Sequence, residues 1–327
     1  MSIDASGTVV ITGGGGFLGA RVAALLLERL PDLRIVLTDI ARTPRVSALG
    51  TRVDFVEADL SDSDSAGRVI DASTGTVFHL ASLVSGGAER DFEVGLRANV
   101  YATINVLEAC RLYARSPAVV FTSSIATFGG SALPVEVTDL THQHPQNSYG
   151  VAKVVGEQLL NDYSRKGYLS GRGVRLPAVA VRDTPNSAAS GYASTMAREA
   201  LAGRDYVCPV SRDTRIPIIG ADTAVRLLVE LAELDGGALG DFLTINGPGI
   251  SPSAGEIADT VARLATPSRQ LGSISFAPDP DVEAMVASWP RAWRSERADE
   301  LGLPRDQGID SIVASYLSSI ADDEMEA

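Results

Sequence analysis

The sequence predicts an α/β protein, a doubly wound parallel sheet followed by a smaller C-terminal α/β domain. Three observations carry this. Short β-branched runs alternate with stretches of helical periodicity through the first half of the chain, a glycine-rich turn separates the first run from the first helix, and beyond about residue 176 the composition shifts to loops, proline and shorter elements. Strands written as near-continuous apolar runs are buried on both faces, as in a parallel sheet covered by helices.

Val9-Val10-Ile11-Thr12 reads as a buried strand. Gly13 to Gly16 break it, and Phe17 to Leu30 place apolar residues at helical spacing up to Pro31. Arg34 to Thr38 form a second strand, ending at Asp39. Further strands are expected at 53–56, 76–80 and 119–122, with a helix over about 99–115 between the last two. A long helix over 148–165 precedes the strand Val174-Arg175-Leu176, which Pro177 follows. Residues 183–194 are small and polar and read as a loop. Helices follow at about 191–202, 221–235, 253–265 and 308–321, with a strand at 242–245 stopped by Gly247-Pro248-Gly249. The acidic residues from Asp322 onward are expected to fray. The first domain is therefore expected over 1–175, with about 215–245 returning to it, and 176–327 is mainly a second, substrate-binding domain.

The 327 residues carry 28 Lys+Arg against 41 Asp+Glu, a net charge of −13. Such a length buries a core without disulfides or metals, and 45% hydrophobic residues is the composition of a folded chain. The negative charge repels nucleic acid and anionic membranes, so neither is an expected partner. A small anion needs only a local cationic pocket. Two cysteines, Cys110 and Cys208, are too few for a disulfide framework. Cys110 sits at an apolar helix position and reads as core; Cys208 has no evident activating base. No apolar run reaches about 18 residues and no signal-peptide pattern opens the chain, so a cytoplasmic protein is expected. His142 and His144 lack a ligand set, so no metal is expected, and Trp289 and Trp293 read as core.

Gly13-Gly14-Gly15-Gly16-Phe17-Leu18-Gly19 fits G-x-x-G-x-x-G between a strand and a helix. Gly13 suits the tight turn, Gly16 the approach of a pyrophosphate, and Gly19 close packing of helix on strand. Phe17 and Leu18 open the helix whose unpaired N–H groups face the anion. Asp39, 20 residues after Gly19, completes the pattern of a Rossmann-type dinucleotide site. A carboxylate there accepts hydrogen bonds from ribose hydroxyls and repels a 2′-phosphate, so NAD is expected over NADP. Asp59 and Leu60, after the third strand, meet the adenine, or Asp59 merely caps the strand end.

Tyr149 and Lys153 share one helix face at i, i+4. An ammonium beside a phenol favours phenolate, so Tyr149 can act as a base near neutral pH. Ser124 follows an apolar strand, where ligands bind in open α/β sheets. Asn99, near the start of the 99–115 helix, either anchors a proton-relay water or caps the helix.

Loop, ribose acid, Ser, Tyr and Lys in this order resemble the extended short-chain dehydrogenase/reductase family, which includes nucleotide-sugar epimerases. The resemblance implies that Tyr149 exchanges the proton of the reacting hydroxyl, Lys153 holds the nicotinamide ribose and tunes Tyr149, and Ser124 bonds the same substrate oxygen. His79-Leu80-Ala81-Ser82 is similar to the family's segment beside the nicotinamide, which places Leu80 and Ala81 at the cofactor. Phe128 stands where the family usually has tyrosine. Dehydratases of the family carry Asp-Glu directly after the active-site Thr; Ile125 and Ala126 stand here, which argues against dehydration. Stretches at 84–92, 160–167, 176–186, 188–190, 208–210, 213–215, 289–291 and 297–302 resemble a family member that oxidises a four-carbon sugar acid at C2 with NAD. A carboxylate substrate wants an arginine fork, and Arg182 and Arg215 are the candidates, or each simply pairs with an acidic residue. Ser85 and Asn186 are further candidate substrate contacts. A nucleotide-sugar 4-epimerase or reductase is the alternative; an NAD-sensing protein without catalysis fits poorly, because the Tyr/Lys pair is present. The resemblance also implies a homodimer built on the helices at 99–115 and 148–165.

Overall fold

The computed structural model describes residues 3–4, 6–181, 190–265 and 269–326, with side chains to Ile320. Seven strands make one sheet: β1 (Thr8–Thr12), β2 (Ile35–Asp39), β3 (Asp54–Glu57), β4 (Thr74–His79), β5 (Ala118–Ser124), β6 (Ser170–Leu176) and β7 (Thr244–Asn246). Their spatial order is β7-β6-β5-β4-β1-β2-β3. β1 pairs in parallel with β2 and β4, β2 with β3 and β4 with β5. The chain therefore starts mid-sheet, winds to one edge, returns and winds to the other, leaving the switch point beside β1 where open α/β sheets bind ligands. Every residue of β1 is buried, as its unbroken apolar run requires.

Flanking helices include α1 (Phe17–Arg29), α2 (Ser85–Arg90), α3 (Ala102–Tyr113), α4 (Ser148–Arg165) and, spanning both units below, α6 (Ala221–Glu233); α5 (Gly191–Leu201), α7 (Ala254–Leu264) and α8 (Ile309–Glu326) come from the second half. A π-turn over Arg97–Tyr101 leads into α3. The covered face of the sheet joins Val10, Val77 and Val119 to Ile70, Val106, Leu107 and Leu160. Cys110 lies in this core and burial pushes its thiol up to about 12, so it is packing rather than chemistry.

The chain divides into two compact units. The first holds residues 1–127, 147–175 and 225–245; the second holds 128–146, 176–224 and 246–327. Residues 128–146, expected in the first domain, group with the second, and the returning segment starts near 225 rather than 215. In the second unit α5 and α7 pack around Met196, Ile257, Val261, Trp289 and Val313. Short parallel pairs, 178–180 with 218–220, 206–208 with 274–276 and 136–137 with 292–293, also belong to it. Ser253 caps α7: its Oγ accepts from the Glu256 amide at 3.1 Å, and the Glu256 carboxylate accepts from the Ser253 amide at 2.7 Å.

Several boundaries differ from expectation by a few residues. β6 begins at Ser170, because its first residues include glycines that pack where apolar side chains would not fit: a Cβ on Gly173 would lie 2.2 Å from Thr244 Oγ1. β7 is Thr244–Asn246, so Phe242 falls outside it, with the Arg175 guanidinium 5.5 Å from its ring centroid. The final helix runs on to Glu326 instead of fraying from Asp322.

Candidate active site

Thr12, Asp39, His79 and Ser124 are the last residues of β1, β2, β4 and β5, so the parallel sheet brings all four to its carboxyl edge. The register sets Thr12 directly against His79.

The glycine loop turns on Gly13, whose φ of +68° lies in the left-handed region. A Cβ at Gly13 would meet the Ala81 nitrogen at 2.7 Å, which fixes the loop against Leu80 and Ala81. A Cβ at Gly19 would meet the Gly13 carbonyl oxygen at 2.3 Å. At Gly16 the only close atom is that same oxygen, at 3.1 Å. The three glycines thus divide as turn, open approach and helix packing. Phe17 is buried with the Arg21 and Arg45 guanidiniums over its ring at 5.1 and 5.9 Å, so it anchors the helix rather than facing a ligand through its side chain. Asp39 Oδ2 accepts from the Gly15 amide at 3.0 Å, and Thr43 Oγ1 donates to the Gly15 carbonyl at 2.9 Å. The acid that would hold the adenosine ribose also locks the phosphate loop. The cradle and carboxylate fit a dinucleotide of the NAD type.

Asp59 is exposed and accepts from the Ser61 amide at 2.9 Å; these Ser61 hydrogen bonds hold its carboxyl below the usual range. That is the capping geometry. Leu60 is buried, and its carbonyl accepts from Asn105 Nδ2 at 2.9 Å.

Behind the loop lies a buried polar chain that the sequence reading did not single out. His79 Nδ1 is 2.8 Å from Thr12 Oγ1, its Nε2 is 3.0 Å from Thr103 Oγ1, and Thr103 Oγ1 donates to the Asn99 carbonyl at 2.7 Å. Burial, and secondarily the charge of Lys153, pull His79 down to about 3, so it is neutral and works as a strut. Asn99 is neither a helix cap nor turned to an open face. Its Oδ1 accepts from Ser82 Oγ at 2.9 Å and the Leu83 amide at 2.7 Å, while Nδ2 donates to the Leu83 carbonyl at 2.9 Å. The π-turn presents Asn99 inward and spends its amide on holding the segment after Leu80 and Ala81.

α4 starts at the N-cap Asn147, whose side chain accepts from the Gly150 amide at 2.8 Å. Its next residue, Ser148, donates its amide to Glu89 at 3.0 Å. Tyr149 is half-buried and Lys153 is 4% exposed. Lys153 Nζ lies 5.4 Å from the Tyr149 ring centroid and 5.0 Å from that of Phe121 on β5. Burial lowers the Lys153 ammonium to about 7, opposed by the charge of Glu157. Ser124 Oγ accepts from the Ala126 amide at 3.1 Å, and residues 125–127 turn back toward α4. Glu157, one turn beyond Lys153, is buried; its carboxylate is gripped by Arg175 and accepts from Ser123 Oγ. Its position at i+4 from Lys153, on a face with Gly156 and Leu160, was the available sequence signal.

Ser85 is half-buried at the start of α2. Arg215 does not offer a free fork. Its Nη1 and Nη2 each donate to Glu256 at 3.0 Å and Nη1 also to the Ser251 carbonyl at 2.8 Å. The expectation that it clamps a carboxylate gives way to this ion pair, which ties the 215 segment to α7. Arg182 and Asn186 lie outside the described residues. Among the described residues no helix is long and apolar enough to cross a membrane.

The fold is that of a nucleotide-cofactor oxidoreductase, with the glycine turn after β1 on one side of the sheet switch point and Ser124, Tyr149 and Lys153 on the other. The model of the NAD dependent epimerase/dehydratase family matches residues 9–240, and the chain belongs to that family. It is an NAD-dependent oxidoreductase. It is 41% identical over 319 residues to D-erythronate dehydrogenase of Cupriavidus necator strain H16, covering 94% of this chain and 97% of that one. It is 36% identical to D-erythronate dehydrogenase of Haemophilus influenzae, covering 94% and 98%. The crystal structure of a nucleoside-diphosphate-sugar epimerase from Agrobacterium tumefaciens is similar with a TM-score of 0.86 at 33% identity, covering 94% of this chain and 92% of that one.

Proposed function

We propose that the protein oxidises the C2 hydroxyl of a small sugar acid, D-erythronate, to the 2-dehydro acid. The observation that carries this is the pair of half-buried Tyr149 and buried Lys153 at the start of α4, set against β5, which ends in Ser124. The likeness to two D-erythronate dehydrogenases over nearly the whole chain supports the substrate.

Bound NAD supplies a hydride acceptor. Tyr149 Oη takes the proton of the substrate hydroxyl as a hydride leaves the same carbon, so an alcohol becomes a ketone with both hydrogens accounted for. Lys153, protonated, stabilises the phenolate and reaches the cofactor ribose. Ser124 Oγ bonds the reacting oxygen and holds it against Tyr149. Gly13, Gly16 and Gly19 with the start of α1 cradle the pyrophosphate, Asp39 takes the adenosine ribose, and Leu80, Ala81 and Asn99 shape the nicotinamide side. Ser85 contacts substrate hydroxyls. With the Arg215 fork committed to Glu256, Arg182 is the candidate partner of the substrate carboxylate, and Asn186 is a further candidate contact.

The protein is further proposed to be a cytoplasmic homodimer. Tyr101, Leu112 and Tyr113 near α3 and Val151 on α4 are large apolar side chains left 45–54% exposed, and a second copy would cover them. Calorimetric binding in the presence of NADH tests the substrate class. D-erythronate is expected to bind and UDP-sugars not to; the reverse result would favour the nucleotide-sugar epimerase or reductase reading. Arg182→Ala is expected to raise KM for the acid far more than it lowers kcat.

A further inference from the structure

A complete ion pair lies under the proposed catalytic face without touching it. Glu157 on α4 and Arg175 on β6 are both 1% exposed. Arg175 Nε lies 3.1 and 3.2 Å from the two carboxylate oxygens and Nη2 lies 2.9 Å from one of them. The same carboxylate accepts from Ser123 Oγ on β5, the residue before Ser124. The Arg175 guanidinium is roofed by the Phe242 ring. Removing two charges from water costs several kcal/mol per ion, and apolar residues of like volume would often be as stable. A pair kept at that cost, one helical turn from Lys153, invites a role beyond packing.

We propose that Glu157 is a positioning residue: its carboxylate holds the charge state of the Tyr149–Lys153 pair and, through Ser123, pins the end of β5 so that Ser124 meets the reacting oxygen. This rests on the Tyr/Lys reading above. The physical logic is electrostatic. Lys153 is 4% exposed, with Phe121 and Tyr149 rings beside it, and burial drives its ammonium toward the neutral amine. Among the described residues the charged and titratable groups around it are few. On α4 they are Tyr149 and Glu157; from β4 comes His79, held neutral by burial; from β6 comes Arg175, behind Glu157. Glu89 and Glu108 meet α4 only near its two ends, at Ser148 and Tyr163. Glu157, paired with Arg175, is thus the negative charge placed to keep Lys153 an ammonium. Charges about 6 Å apart in a medium of effective dielectric about 20 change proton affinity by roughly 10- to 100-fold, about 1–2 pH units.

The test is titration of the Lys153 ammonium by nitrogen-15 NMR, with every variant made in the Tyr149→Phe background so that no coupled phenolate alters the sign, and with thermal unfolding in parallel. It needs no substrate, so it stands apart from whether sugar acids are turned over. Loss of a negative charge lowers the proton affinity of Lys153. Glu157→Gln, which also leaves Arg175 unopposed, is expected to move the titration down by about 1–2 pH units. In Glu157→Gln/Arg175→Met the nearer charge, that of Glu157, still decides the sign, so a smaller downward shift is expected; this variant carries the test if Glu157→Gln does not fold. Glu157→Asp keeps the charge and is expected to titrate like the Tyr149→Phe parent despite a lower melting temperature. Melting temperatures that fall in every variant while the Lys153 titration stays put would overturn the proposal and leave Glu157 a structural residue. An upward shift would overturn it equally.

Discussion

Gly16→Ala and Gly19→Ala should separate two functions of one loop. An added Cβ at Gly19 would sit 2.3 Å from the Gly13 carbonyl oxygen and 2.8 Å from Gly14 Cα. Both are backbone atoms, so no side chain can rotate away and the loop must move off α1. Overpacking of this kind costs about 1–3 kcal/mol, and the upper end applies where backbone meets backbone. Alanine returns about 1 kcal/mol of helix propensity. The balance is a loss of about 2 kcal/mol, or about 4–8 °C in Tm at roughly 2–4 °C per kcal/mol. Gly16 differs. Its φ of −75° and ψ of 173° suit alanine, and a Cβ there meets only the Gly13 oxygen at 3.1 Å. Gly16→Ala should melt within about 1 °C of the wild type. It should nonetheless bind NADH at least about tenfold more weakly, because the methyl fills the approach of the pyrophosphate. Thermal unfolding and nicotinamide fluorescence titration read the two effects. Unchanged NADH affinity in Gly16→Ala, or an unchanged Tm in Gly19→Ala, would refute the division of labour.

Asp39→Ala removes both the ribose acceptor and the bond to the Gly15 amide; NAD affinity should fall by at least about tenfold and the preference over NADP should shrink, read as the ratio of kcat/KM values. His79 is neutral when folded, and its affinity for protons is depressed from an ordinary 6.5 to about 3. Its contribution is therefore present above about pH 6.5 and lost by about 1.4 kcal/mol per pH unit as pH falls toward 3, so denaturant unfolding of His79→Gln should depend less on pH over that window than the wild type. Leu112→Asp charges a side chain left 54% exposed on α3; sedimentation should show the wild type as a dimer and this variant as a 34.2 kDa monomer, and identical masses would remove this face from the interface.

Much of the first unit was readable because its signals are local. Unbroken apolar runs gave β1, β2 and β5, and the Gly13–Gly19 spacing gave the glycine turn between β1 and α1, which Asp39 meets at Gly15. The 148–165 helix matched α4 to the residue, since Asn147 caps it and the glycine at 167 ends it. What escaped was set by distant partners. Asn99 is defined by Ser82 and Leu83, which lie 16–17 residues away, and by a π-turn with no compositional mark. Arg215 and Glu256 are 41 residues apart, and nothing near Arg215 distinguishes an arginine paired within its own unit from one waiting for an anion. Arg175 read as part of an apolar strand, and only the fold shows that its charge meets Glu157 on α4.

The most direct test of the central claim is the appearance of NADH absorbance when the protein is mixed with NAD and D-erythronate. Turnover of that acid is expected, with Tyr149→Phe reduced by at least about a hundredfold. No turnover across a panel of four- to six-carbon sugar acids, or near-full activity in Tyr149→Phe, would contradict it.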